Sequence, residues 1–241
     1  MVLVALLLIF FYLLYVVQPI FESAKVEKRD SFQVANSQQI AGLGVEEQTE
    51  VAYLLSQQGQ VDFYSVQDGS FGKKLKTLNA ELPSDATSFA TSAPFQGHYA
   101  FGLKDGTVMV VAPKFLVTFP NNERKLTPRL DFPLGEMALE VDEQGSAIKR
   151  FAFSHYEDRT AVVALTEDKR VLFSSFVAEE NMFTGEVEWV VERTELDVEG
   201  RVDELLMSPD TTRTFVRSAN QVYVYDTRDP SDVEQIQLLS A

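Results

Sequence analysis

The sequence predicts an all-β fold carried behind one N-terminal transmembrane helix. Two observations predict it. Residues Met1 to Phe21 (MVLVALLLIFFYLLYVVQPIF) hold no charged side chain, and short apolar runs flanking polar turns then recur four times. A third observation bounds the chemistry, since the 241 residues contain no cysteine and only 2 histidines.

The leading segment is justified by length and flanks. A helix over residues 1–21 rises about 31 Å, which matches the roughly 30 Å hydrocarbon thickness of a bilayer. A secretory leader would carry basic residues ahead of a shorter apolar run and small residues at its cleavage point. Here no Lys or Arg precedes the run, and a cut after Ala24 places Glu22 where a small residue is required. A helix buried in a soluble core usually keeps a polar stripe, which this one lacks. Tyr12 and Tyr15 suit a membrane interface, and Pro19 suits the helix end, where a missing amide donor costs little.

Residues 22–40 read as a juxtamembrane linker, polar and without a sustained period, and residues 41–241 as the globular domain. In residues 22–30, Glu22, Glu27 and Asp30 cancel Lys25, Lys28 and Arg29, so the formal charge of -15 belongs to residues 31–241. An acidic body repels phosphodiester backbones and anionic head groups, which argues against nucleic-acid binding and against adhesion along a membrane surface. The absence of cysteine excludes disulfides and thiolate chemistry while leaving the redox compartment open.

The body repeats a unit of strand, turn, strand and polar connection. Val51 to Ser56 and Gln60 to Val66 flank Gln57-Gln58-Gly59, with Asp68-Gly69 closing the unit. Tyr99 to Leu103 and Thr107 to Val111 flank Lys104-Asp105-Gly106. Ala161 to Leu165 and Arg170 to Phe176 flank Thr166 to Lys169, and Thr214 to Arg217 and Gln221 to Tyr225 flank Ser218-Ala219-Asn220. Gly and Asn in these turns offer the positive φ that tight hairpins need. The turn centres Gly59, Gly106, Lys169 and Asn220 lie 47, 63 and 51 residues apart. Such spacing is the period of propeller blades, each a four-stranded sheet, and the 63-residue interval leaves room for an insertion around Pro120 to Arg124. Ala147 to Ser154 and Val202 to Asp210 fit inner strands. Two stacked sheets of a sandwich are the competing architecture.

The stretch Leu205 to Asp226 (LLMSPDTTRTFVRSANQVYVYD) resembles one degenerate blade of a WD40-like β-propeller. Tyr225-Asp226 stands in place of the Trp-Asp dipeptide, and Gly97-His98 is a lone match to the Gly-His signature. About four blades are legible. Gln235 to Ala241 reads as a further strand, and the expectation is that the chain is the leading part of a longer protein or that its last blade is completed elsewhere.

No constellation of reactive groups emerges. His98 and His155 fall in different repeats, and Ser154 next to His155 on a strand points to the opposite face, out of reach as a nucleophile for that base. Asp197, Glu199, Asp203 and Glu204 depart from the ligand order of a calcium loop and read as a solvated hairpin. Lys73, Lys74 and Lys76 beside Gly69 and Gly72 lack a phosphate-loop pattern and read as a solvated turn. Phe151, Phe153, Phe173 and Phe176 read as packing between blades, and Trp189 as core or blade face. The sequence therefore assigns no catalytic, cofactor-binding or metal-ligating residue, requires no cofactor, and points to recognition rather than to an enzyme.

Leu8 to Glu27 (LIFFYLLYVVQPIFESAKVE) resembles the first membrane helix and its exit in the long-form PstC-type phosphate ABC transporter permease of Gram-negative bacteria. That family carries a WD40-like domain between its first and second membrane helices. The resemblance implies an inner-membrane protein whose propeller is an accessory protein-binding or regulatory domain in phosphate import. The implied partners are a second permease subunit, an ATPase and a periplasmic phosphate-binding protein, besides membrane lipid around the helix. The family pattern puts the propeller in the periplasm, whereas Lys25, Lys28 and Arg29 alone would favour the cytoplasm, and three interleaved acids blunt that preference. The alternative function is a self-contained membrane-anchored propeller scaffold in cell-envelope assembly.

Overall fold

The computed structural model describes residues 2–21, 28, 30–34, 39–93, 96–180 and 187–240. The chain divides into two compact units, Met1–Gln33 and Val34–Ala241.

In the first unit, helix α1 spans Val2–Val17 and a 3-10 turn continues it over Gln18–Phe21. This corrects the expectation of one helix over residues 1–21. Pro19 has no N–H to donate, and its ring clashes with the preceding turn, so the chain tightens at this point instead of continuing as α-helix. The 16 helical residues rise about 24 Å, short of the bilayer's roughly 30 Å. Among the described residues no helix is long and apolar enough to cross a membrane. The described side chains of α1 are nonetheless apolar all round and exposed, from Val4 to Val17.

The second unit contains four antiparallel sheets, each built from consecutive strands. The first holds β1 (Ile40–Val45), β2 (Val51–Ser56), β3 (Gln60–Ser65) and β4 (Lys74–Asn79). The second holds β5 (Ala86–Thr91), β6 (Tyr99–Leu103), β7 (Thr107–Thr118) and β8 (Lys125–Asp131), with a short β9 (Leu139–Glu140) pairing to β7. The third holds β10 (Ile148–Tyr156), β11 (Arg159–Thr166), β12 (Val171–Glu180) and β13 (Val187–Leu196). The fourth holds β14 (Val202–Met207), β15 (Arg213–Ser218), β16 (Gln221–Asp226) and β17 (Glu234–Ser240). The body is therefore all-β, with four sheets in place of a sandwich's two.

The hairpins expected from the repeats form, and backbone sterics explain their turns. Gly59 and Gly106 take φ of 83° and 82°, and Lys169 takes 72°. In the last hairpin the positive φ falls on Ala219 rather than on Asn220. The long interval before the third hairpin is filled by extension of β7, which pairs with β6 through Val108 to Val111 and with β8 through Ala112 to Thr118. A 3-10 turn over Pro120–Asn122 joins β7 to β8.

Consecutive sheets pack face to face, and alternate residues of their inner strands meet across each junction. Val51, Tyr53, Leu55, Val61 and Phe63 of the first sheet meet Tyr99, Phe101, Leu103, Met109 and Val111 of the second. The second's opposite face (Ala100, Val108, Val110) meets Phe151, Phe153, Val162 and Phe176 of the third. Ala161, Val163 and Phe173 on the third's far face meet Leu205, Val216, Tyr223 and Tyr225 of the fourth. The first strands run side by side, β5 against β10 and β10 against β14.

Candidate functional site

The first strand of every sheet breaks register with its neighbour at the same step. The irregularity lies between Ile40 and Gly42, Ala86 and Ser88, Ile148 and Arg150, and Val202 and Glu204. The unpaired residues are Ala41, Thr87, Lys149 and Asp203. A bulge of this kind interrupts the in-out alternation and re-aims one side chain.

Beside two of these bulges lies a cleft of about 980 Å³. Its polar wall comes from Gln57 and Gln58 in the β2–β3 turn, Ser84 and Asp85 in the β4–β5 connection, and Lys149 and Arg150 at the start of β10. Leu82 and Phe89 supply apolar lining. The hydroxyls of Thr87 and Ser88 both donate to the Ile148 carbonyl, at 2.8 and 2.6 Å, and so pin the Lys149–Arg150 step against the second sheet.

The cations of the cleft differ in their partners. Lys149 Nζ lies 2.8 Å from Glu167, but both side chains are more than half exposed, so water screens the pair and it contributes little. The Arg150 guanidinium makes no hydrogen bond or ion pair with any described residue, although the chain carries 36 acidic against 21 basic residues. The Ser84 hydroxyl oxygen is buried and also lacks a partner among the described residues.

The residues singled out from sequence fall into place as follows. His98 and His155, 57 positions apart, come together with ring centroids 6.0 Å apart. Burial holds both imidazoles below the usual histidine range; His155 adds to the effect on His98, and Asp158 opposes it on His155. Ser154 does not address His155: its hydroxyl donates to the Pro209 carbonyl at 2.8 Å, while His155 Nδ1 pairs with Thr160 Oγ1 at 2.9 Å. Asp203 and Glu204 are held by Arg201 and Arg217. The main chains of Asp197 and Glu199 bond the hydroxyls of Tyr225 and Tyr223. No described group of three metal-ligating side chains forms. Lys74 pairs with Asp62 at 2.8 Å, and Lys76 donates to the Pro128 carbonyl at 3.1 Å. Phe151, Phe153 and Phe176 fill the junction of the second and third sheets, with Trp189 packed against it, and Phe173 fills the next junction.

Sequence reading missed a buried ion pair. Asp142, 2% exposed, accepts the amides of Gln144 and Ser146 and meets Arg170 at 2.8 Å. Burial alone would raise this carboxyl, but the two amides and the guanidinium outweigh it and hold the group below the usual carboxylate range. The spacing of 28 residues between partners gives no sequence signal for the pair.

No family model matches this sequence, and no curated protein matches it. Among solved structures, one similar chain is a functionally unknown protein from Desulfotomaculum acetoxidans DSM 771, 11% identical over 84% of this chain with a TM-score of 0.45. The matched region spans 56% of that protein, so this chain corresponds to little more than half its length.

Proposed function

We propose that the chain is a membrane-tethered recognition module of propeller type. Following the resemblance carried by Leu8 to Glu27, it serves a PstC-type phosphate permease as its accessory periplasmic domain. The observation that carries the reading is the join between an uncharged leading segment, exposed and apolar on every side, and an acidic body of four sequential sheets. Exposed apolar surface on this scale calls for an apolar surrounding. Helix and 3-10 turn together reach about 32 Å, at 1.5 and 2.0 Å per residue, so embedding uses the whole of Val2–Phe21 and not the helix alone. Side-by-side first strands and face-to-face sheets are the arrangement of neighbouring blades around an axis.

Extraction of bacterial membranes with alkaline carbonate tests the tether. The wild-type chain stays with the membrane pellet. Leu8→Arg with Leu13→Arg releases it, because each central arginine adds about 2.5–3.5 kcal/mol to insertion. Release of the wild type would overturn the tether. Co-purification with the second permease subunit, the ATPase or the phosphate-binding protein tests the assignment to phosphate import, and retention of none of them would remove it.

A further inference from the structure

We propose that the cleft beside the β5 and β10 bulges binds an acidic peptide segment, whose carboxylate engages Arg150 and whose backbone engages the Gln57 and Gln58 side-chain amides. The inference rests on the reading of the body as a recognition module, and it adds the site and the ligand class.

Three observations lead there. The cleft, at about 980 Å³, sits at the upper end of the range for ligand pockets and is far larger than a single small anion fills. Its lining mixes side-chain amides at Gln57 and Gln58 with apolar surface at Leu82 and Phe89, which suits the alternating polar and apolar character of an extended peptide. Most described arginines hold a carboxylate or a carbonyl, such as Arg170 on Asp142 and Arg193 on Glu140. Arg150, an exposed side chain, holds none among the described residues, and a guanidinium fork is built for two parallel bonds to one carboxylate.

Position reinforces the chemistry. Arg150 follows the unpaired residue Lys149 in a bulge pinned by Thr87 and Ser88, so its backbone is fixed against the second sheet before any ligand arrives. Asp85 and Glu167 lie nearby, and Lys149 reaches Glu167 in a water-screened pair, so Arg150 is the cation of the cleft without a partner among the described residues. The net charge of -15 opposes approach of an acidic peptide at long range. At ionic strength near 0.15 M that repulsion fades beyond about 8 Å, whereas the contact with Arg150 acts at hydrogen-bond distance.

The test uses the detergent-solubilised full chain and a fluorescein-labelled hexapeptide of alternating glutamate and serine, followed by anisotropy. Saturable binding is expected, weakened roughly tenfold to a hundredfold by Arg150→Gln and less by Gln58→Ala. Arg213→Gln, which removes a charge outside the cleft, leaves binding unchanged. No saturable binding overturns the proposal, as does equal binding of the matching glutamine-serine peptide or an Arg150→Gln chain that binds like the wild type. Competition by inorganic phosphate as strong as by unlabelled peptide would reassign the cleft to a free anion and overturn the peptide. Circular dichroism of each variant shows that the fold is intact. Carbonate extraction is independent of this result, so a failed peptide leaves the membrane tether standing and a failed tether leaves the cleft standing.

Discussion

The far face of the third sheet and the far face of the fourth are built on the same register, yet one is buried and the other partly open. On the third sheet, Ala161, Val163 and Phe173 are fully buried beneath the fourth. On the fourth, Leu206, Phe215 and Val224 stand opposite one another across three strands, and exposure along that row runs from 4% at Val224 to 55% at Leu206. The neighbouring row runs Glu204, Arg217, Val222, Leu239, with Glu204 and Arg217 paired at 3.1 Å. The first sheet's outer face repeats the pattern: Leu43, 68% exposed, lies opposite Leu54, and Asp62 with Lys74 supplies the charged pair. Internal junctions are apolar, while the terminal faces mix leucine and valine with ion pairs. The difference shows that stability resides in sheet-on-sheet burial at the three junctions, and that the two ends tolerate water.

Substitutions on either side of that divide test it. Phe173→Ala removes a fully buried ring from the junction of the third and fourth sheets and costs about 3–5 kcal/mol in urea unfolding. Asp142→Asn, which strips the charge opposite Arg170 near the second and third sheets, costs about 2–3 kcal/mol at neutral pH. The same group sets a pH dependence. Its folded pKa is depressed below the ordinary 3.8, so its contribution is present above that value and is lost as pH falls through the folded value. The Asn variant lacks this acid-side loss. Gly42→Ala places a Cβ inside the space of the Tyr99 ring at the first junction and costs about 1–2 kcal/mol, net of the small gain from a stiffer unfolded chain. Leu206→Ala, on the open face, changes stability by no more than about 0.5 kcal/mol. A cost at Leu206 comparable to that at Phe173 would mean that the terminal face is covered.

The hairpin cores were legible because apolar runs and turn residues are local signals. Val51 to Ser56, Tyr99 to Leu103 and Gln221 to Tyr225 sit in the strands expected of them, and Gly59 and Gly106 occupy the turns. Strand β1 was hidden: Ile-Ala-Gly-Leu-Gly-Val has two glycines and half-exposed positions, and the sequence places it at the start of the domain from residue 41 without marking it as a strand. Gly42 and Gly44 are required there because the Tyr99 and Tyr53 rings occupy the space of a Cβ, a tertiary fact with no local mark. The break at Pro19 was visible as a proline, but its shortening of the helix to Val17 depends on backbone hydrogen bonding. The candidate cleft was illegible altogether. Bulges shift register without a composition signal, and Gln58, Ser84 and Arg150 come from the β2–β3 turn, the β4–β5 connection and the start of β10.

Hydrogen exchange resolved along the full chain tests the central claim most directly. Buried junctions and open ends predict that amides of β11 and β12 exchange near the rate of global unfolding, with those of β17 at least about tenfold faster. Protection of β17 equal to that of β12 in the isolated chain would contradict the account.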